Sequence, residues 1–361
     1  MDKTVFGRFE CACIVINLVC AKMLFTAPRL FAANSRTAVF IVLASDIAAA
    51  GLFVFLFLRL MPDEELDIID LAGKYLGRRA CVLAALSGAA FWLFKLTLES
   101  RIYCLVTTAQ CFDKLPKEFL CAALCLGASL IAYMGVETAA RLCALFVPIC
   151  VVVVFFISAM AVPAADVYML FPIFGAGPKS AASDMTAALD SFNEWYVLAM
   201  LMPHIRKIRL LRSSARASFT VASLVSAAIV ILYFALPDGA PRSASISPAL
   251  LISQAASIFG HAPRLDIYII IIQSFGALLY AACALFFFAY SLSRALSLPD
   301  CRPAVIPSGI FLFAACLIRE DHALIQYFGR ISLVLCEAFG FLLPLILLTA
   351  VNYKKRRSKT A

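Results

Sequence analysis

An all-α integral membrane protein that crosses the bilayer ten times is the fold class the sequence predicts, on three observations. Hydrophobic residues make up 63% of the 361-residue chain and charged residues only 15%, with a mean hydropathy of +0.95; that is too apolar for a soluble core inside a polar shell. Apolar segments of roughly 17 to 28 residues recur along the chain, each long enough to span a hydrocarbon core of about 30 Å at about 1.5 Å per residue. Basic residues collect in alternate connections, which places both termini on the cytoplasmic side.

Helix one is predicted over about Phe9 to Ala27, stopping at Pro28-Arg29. Asn17 and Lys22 in its interior are unlike the clean apolar centre of a cleaved signal peptide, so the segment is expected to stay attached. Helix two, about Thr37 to Leu60 with Asp46 inside it, is expected to form a hairpin with helix one. Within 62–79, Leu66, Ile69, Ala72, Tyr75 and Leu76 recur at helical spacing beside charges, the pattern of an amphipathic helix at the membrane surface. Helix three, about Cys81 to Cys111, is long enough to tilt. Its Lys95 and Glu99 are four residues apart, hence on one face, and are expected to neutralise each other in part.

Helix four follows Pro116 and runs to about Tyr133. A tight turn at Gly135-Val136-Glu137 leads into Arg141 and helix five, which ends near Val162. The connection from Pro163 to Met185 contains Leu170-Phe-Pro-Ile-Phe-Gly-Ala-Gly-Pro178, whose Pro and Gly content forbids a helix through that part. Helix six is predicted over about Thr186 to Met202, helix seven over Ala217 to Leu236, helix eight over Leu265 to Arg294, helix nine over Ala304 to Leu317 and helix ten over Ala323 to Val351, with a short surface helix at Pro248 to Gly260. Lys74, Arg78, Arg79, Arg141, the Arg206 to Arg216 run, Arg294, Arg302 and the tail from Lys354 to Lys359 then fall inside. Only scattered cations such as Arg29, Lys114 and Arg242 fall outside. The chain reads as one polytopic domain, 1–361, whose ten spans permit a 5+5 inverted repeat: about 9–162 and 186–351, joined by 163–185 and closed by a basic tail, 352–361.

The net charge of +9 is spread over short connections rather than one soluble face, so it orients the chain in the lipid bilayer and does not point to nucleic acid. The 14 cysteines lie mostly in apolar runs, without paired CxxC spacing, and read as small packing residues. Neither a metal nor another cofactor is expected. His204, His261 and His322 fall at connections with no nucleophile beside them, so the sequence does not read as an enzyme.

The stretch Asp190-Ser-Phe-Asn-Glu-Trp-Tyr196 interrupts an apolar, membrane-length segment. Four polar side chains within five residues suit a helix broken at membrane depth, where free backbone groups hold a small zwitterion or cation; the other reading is a helix cap at the outer surface. The cavity expected around it is lined by Glu99 and Tyr103 of helix three, Ser191 and Glu194 of helix six, Gln273 and Tyr280 of helix eight, and backbone near Cys20 and Ala21. A carboxylate there takes an ammonium, and free helix-terminus amides suit a carboxylate. Tyr280 also reads as a packing aromatic. Lys22 either places an ammonium where a sodium-coupled protein would hold a cation or pairs with Glu99 or Asp46. Glu137 and Arg141, four apart at a helix start, read as an ion pair or a gate latch rather than ligand contacts.

Further motifs carry a resemblance. Tyr133-Met-Gly-Val-Glu-Thr-Ala-Ala-Arg141 holds Gly-x-Glu-x-x-x-Arg after helix four; Leu115-Pro116, Leu170-Phe-Pro172 with Gly175, Ser191-Phe192 and Arg264-Leu265-Asp266 follow in order. In length, spacing and order these resemble the endospore germination permeases, the B subunits of nutrient germinant receptors in the amino acid/polyamine/organocation superfamily. The resemblance covers nearly the whole chain and implies a LeuT-like fold. It further implies binding of a nutrient signal, an amino acid, in the inner membrane of a spore beside an A-type membrane subunit and a C-type lipoprotein. Members of the superfamily usually carry a Gly-rich break in helix one, whereas Asn17-Leu-Val-Cys-Ala-Lys-Met23 has no Gly. Two other functions stay open: an amino acid permease coupled to protons through Glu99 or Glu194, and a purely structural subunit.

Overall fold

The computed structural model of the chain describes residues 6–25, 27–32, 34–35, 37–111, 116–205, 207–237, 247–258, 265–318 and 333–360. Among them the regular structure is helical throughout: α1 (Arg8–Phe25), α2 (Val39–Leu60), α3 (Ile68–Leu76), α4 (Arg78–Cys111), α5 (Lys117–Met134), α6 (Val136–Ala161), α7 (Pro178–Ala188), α8 (Leu198–Ile205), α9 (Ile208–Ala235), α10 (Pro248–Ile258), α11 (Leu265–Ala295), α12 (Arg302–Leu317) and α13 (Leu343–Thr360). The expectations resting on Leu115, Arg242, His261, Arg264, His322 and the start of helix ten at Ala323 lie outside the described residues.

Seven of the described helical runs are long and apolar enough to cross a membrane: Val39–Leu60, Arg78–Gln110, Lys117–Met134, Val136–Ala164, Ile208–Ala235, Leu265–Ala295 and Leu333–Arg357. The chain is a multi-pass membrane protein. In α11, 72% of the apolar window is buried, against 28% in α5, so α11 runs through the centre while α5 turns much of its surface outward. Leu126 of α5 and Leu145 of α6 are exposed, as suits side chains meeting hydrocarbon. α1 is not among the seven, because its 18 residues include Arg8, Glu10 and Lys22. It is enclosed instead, every residue from Cys11 to Phe25 being buried.

That enclosure undoes the expected hairpin of the first two helices. α1 packs chiefly on α9, α6 and α11, whereas α2 packs on α7, α9, α13 and the segment after α7. Asn17 and Lys22 need protein on every side, and one neighbouring helix cannot supply it. Other boundaries also shift. Helix six is not one piece over Thr186–Met202: α7 starts at Pro178, a nine-residue 3-10 segment covers Leu189–Val197, and α8 follows. Proline is suited to a first helical turn, so the Gly-Pro pair that reads as a breaker is a start signal here. The basic run before helix seven is itself helical, since Ile208, Leu211 and Ala215 bury one face and turn Arg209, Arg212 and Arg216 away from it. Helix five begins at Val136, with Glu137 and Arg141 in its first two turns, and the basic tail continues as helix to Thr360.

Each end of the bundle is fastened by side chains. At one end Asp184 of α7 accepts from the Asn34 amide at 3.0 Å and the Ser35 amide at 2.8 Å, and from Asn34 Nδ2 at 2.7 Å. Gly175 lies against the same turn with φ 56°, and a Cβ there would stand 2.1 Å from the Ser35 carbonyl oxygen. At the other end α3 wedges Ile68, Ile69, Leu71 and Ala72 between α4 and α13. Asp67 caps α3 by accepting the Asp70 amide at 2.6 Å and also takes the Tyr290 hydroxyl, while Arg294 holds Asp70 at 2.6 Å.

Just before α3, Glu64 receives Lys74 at 2.8 Å, the Tyr75 hydroxyl at 2.7 Å and Lys355 of α13. Partial burial acts to raise the Glu64 carboxyl, but these three hydrogen bonds outweigh it and pull the group down to about 2. A carboxyl depressed in the folded state stabilises above its unfolded value, about 4.3, and loses that contribution as pH falls through the folded one. The tie between Glu64 and α13 is therefore expected to hold at neutral pH and to loosen only between about pH 4 and 2. Glu64→Gln should loosen it at neutral pH, read as faster tryptic cleavage after Lys354 and Lys355; unchanged cleavage would show that Asn352, which donates to the Leu60 carbonyl at 2.6 Å, fixes α13 alone.

Candidate functional site

The 3-10 segment after α7 gathers the site. The backbone tightens from α to 3-10 geometry at Leu189, and the Asp190 carbonyl lies within reach of α1 and α4. Two buried ammonium groups meet it there: Lys22 Nζ of α1 at 2.6 Å and Lys95 Nζ of α4 at 3.1 Å. Lys95 also reaches the Asp190 carboxylate at 2.8 Å and Glu194 Oε1 at 3.5 Å, and Lys22 pairs with Glu194. Asn193 donates to Asp190 Oδ1 at 2.9 Å and the Tyr280 hydroxyl donates to Glu194 at 3.2 Å.

Two cations and two carboxylates cancel. Lys95 and Glu194 side chains have no exposed surface and Lys22 has 2%, so each group depends on its partners for the solvation it has lost. The expected pairing of Lys95 with Glu99 does not occur, nor does that of Lys22 with Glu99 or Asp46. Four residues of helix put Glu99 on the same face as Lys95, but the lysine extends across to the 3-10 segment, where two carboxylates and the Asp190 carbonyl compete with one.

Glu99 is left over. It makes no ion pair among the described residues and lines a narrow, partly open cavity with Ala21, Lys22, Phe25, Ser100, Tyr103, Leu124, Ala277 and Tyr280. Tyr103 stands edge-on to Phe25 at 5.4 Å. Five of the residues picked from sequence thus share one cavity: Ala21, Lys22, Glu99, Tyr103 and Tyr280. Glu194 lies behind Lys22 and Tyr280 rather than on the wall. Ser191 is buried in the 3-10 segment with its hydroxyl unpaired. Gln273 is not brought into the cavity: its amide braces the Leu24 carbonyl at 2.8 Å and Ser247 at 2.7 Å.

Cys20 lines a neighbouring cavity with Asn17, Ala21 and Gly276. The backbone expected to be free near Cys20 and Ala21 is inside a continuous α1, because a Gly-less segment has no reason to unwind. Glu137 and Arg141 form their ion pair at the start of α6, far along the surface, with Arg141 73% exposed. Asp190 and Lys95 were absent from the expected site. The signal that points to them is charge balance, since two lysines in apolar helices require two carboxylates. Among the described residues no cluster of His, Cys, Asp or Glu is placed for a metal.

The family model described as a spore germination protein matches residues 8–324. The chain belongs to the spore germination protein family. No curated protein matches its sequence. The fold of this spore germination protein is similar to that of MhsT, solved in complex with L-phenylalanine, with a TM-score of 0.69 and 14% identity over 98% of this chain and 99% of that one. It is also similar to Mhp1, a nucleobase-cation-symport-1 family transporter solved in a closed conformation with bromovinylhydantoin bound, with a TM-score of 0.63 and 12% identity over 98% of this chain and 91% of that one. The spore germination protein thus has a LeuT-like, transporter-type fold, and its family and fold neighbours are not enzymes.

Proposed function

We propose that this chain is the ligand-binding membrane subunit of a spore nutrient receptor, and that its ligand is an amino acid. On this reading it crosses the inner membrane of the spore ten times with both termini cytoplasmic, beside an A-type membrane subunit and a C-type lipoprotein. The observation that carries the proposal is Glu99. An ionised carboxylate inside a membrane helix costs about 2.5–3.5 kcal/mol on insertion scales, and the lysines that would offset that cost are committed to Asp190 and Glu194. A ligand ammonium is the partner that completes the balance. The fold likeness to MhsT, a protein solved with L-phenylalanine, supports an amino acid.

Glu99→Gln tests this. The amide keeps the volume and removes a charge, so the protein should insert and assemble normally, while the half-maximal ligand concentration should rise by about 10- to 100-fold, the worth of a charged hydrogen bond. The measurement is a dose-response beside an immunoblot of the membrane fraction. An unchanged half-maximal concentration would assign Glu99 to helix packing. The transporter-type fold also favours a second reading, an amino acid permease coupled to protons through Glu99 or Glu194; concentrative uptake of labelled amino acid into proteoliposomes would decide for it.

A further inference from the structure

Asp46, in the middle of α2, has no exposed surface, and neither of its carboxylate oxygens has a hydrogen-bond partner. It is not part of the lysine and carboxylate knot and does not line the ligand cavity. The group that acts on it electrostatically is another carboxylate, Glu337, whose Oε1 is also buried without a partner. Their two helices touch nearby: Phe53, two turns beyond Asp46, meets Phe341, four residues beyond Glu337, with ring centroids 4.9 Å apart.

Other charged groups on the elements around α2 are engaged elsewhere. Asp184 of α7 is taken up by Asn34 and Ser35, and Arg212 of α9 reaches the Leu58 carbonyl, three turns away. Arg209 and Arg216 share that end of α9. Asp190 and Glu194 of the 3-10 segment are held by the lysines. The Lys355 end of α13 lies with Glu64. Glu337 in turn faces Asp190 and Lys95, which are already paired with each other.

We propose that Asp46 and Glu337 form a proton-binding site, an acid–carboxylate pair that holds one proton at neutral pH inside the bundle. A buried carboxylate without a cation or donor, as Asp46 is, is neutral or shares a proton, and a second carboxylate acting on it opposes its ionisation further. Glu337 is followed at once by a π-helical turn, Ala338–Leu342, of the kind found at functional positions. Within it Gly340 packs against Asn193 of the 3-10 segment, where an added Cβ would stand 3.3 Å from the Asn193 carbonyl oxygen. Proton occupancy at the pair therefore bears on the same segment that organises the ligand cavity, whatever ligand that cavity takes.

Infrared difference spectroscopy of the full chain in nanodiscs, between neutral and alkaline pH, tests the proposal. A carbonyl stretch of a protonated carboxylic acid should be present at neutral pH and lost on alkalinisation. Asp46→Asn should abolish it, and Glu337→Gln should keep it at a changed frequency, because the neighbouring carboxylate charge is gone. Should Asp46→Asn yield no folded protein, wild type carrying carbon-13 at its aspartate carboxyls should shift the band to lower frequency. Absence of the band in wild type, or a band indifferent to both the Asp46 variant and the aspartate label, overturns the assignment.

Discussion

Lys95→Met is expected to remove most folded protein from the membrane fraction. Breaking a buried ion pair by deleting one partner costs about 3–5 kcal/mol, and here the deletion strands Asp190 and leaves Glu194 with Lys22 alone. A protein of ordinary stability has little more than that to lose. Adding Asp190→Asn should recover most of the protein, since the asparagine removes the stranded charge and Lys22 still balances Glu194. The check is fluorescence-detected size exclusion of the solubilised single and double variants. A single variant as abundant as wild type would mean that Asp190 and Glu194 find other partners, and the charge-balance account of the site would fall.

The second large effect is expected at Gly175. A side chain at φ 56° costs about 1–2 kcal/mol from backbone sterics. The Ser35 carbonyl must also move from a contact of 2.1 Å, which disturbs the Ser35 amide held by Asp184; an unpaired buried amide costs about 1–3 kcal/mol more. Gly175→Ala should therefore lower the thermal midpoint by several degrees. Combining it with Asp184→Ala should cost less than the sum of the two, because both changes release the same turn. Additive losses would show that the glycine and the carboxylate act independently.

The parts of the fold written as long apolar runs were legible in the sequence, and so was the break, because Asp190, Asn193 and Glu194 sit where lipid-facing residues cannot be polar. Glu99, Tyr103 and Tyr280 were picked for their depth along helices three and eight and Lys22 for its charge in helix one, whereas Ala21 was picked for a free backbone that the continuous α1 does not provide. The partner of Lys95 did not follow. Local spacing offers Glu99, but the choice is made by a carbonyl and carboxylates about 95 residues away in sequence, brought within reach only by the assembled bundle. The start of α7 at Pro178 was hidden for a related reason: Gly-Pro marks both loops and first helical turns, and only the packing against Asn34 and Ser35 selects between them. Gln273 has the composition of a ligand contact, and its distance from the cavity depends on where the Leu24 carbonyl ends up.

The 168 residues between Lys22 and Asp190 set a schedule for making the protein. At about 5–20 residues per second of synthesis, α1 leaves the ribosome roughly ten to thirty seconds before the carboxylates that neutralise its lysine exist. During that interval the segment carries an ammonium in its last turn without the carboxylates that balance it in the finished bundle. Its final packing is thus a late event, completed when the middle of the chain emerges.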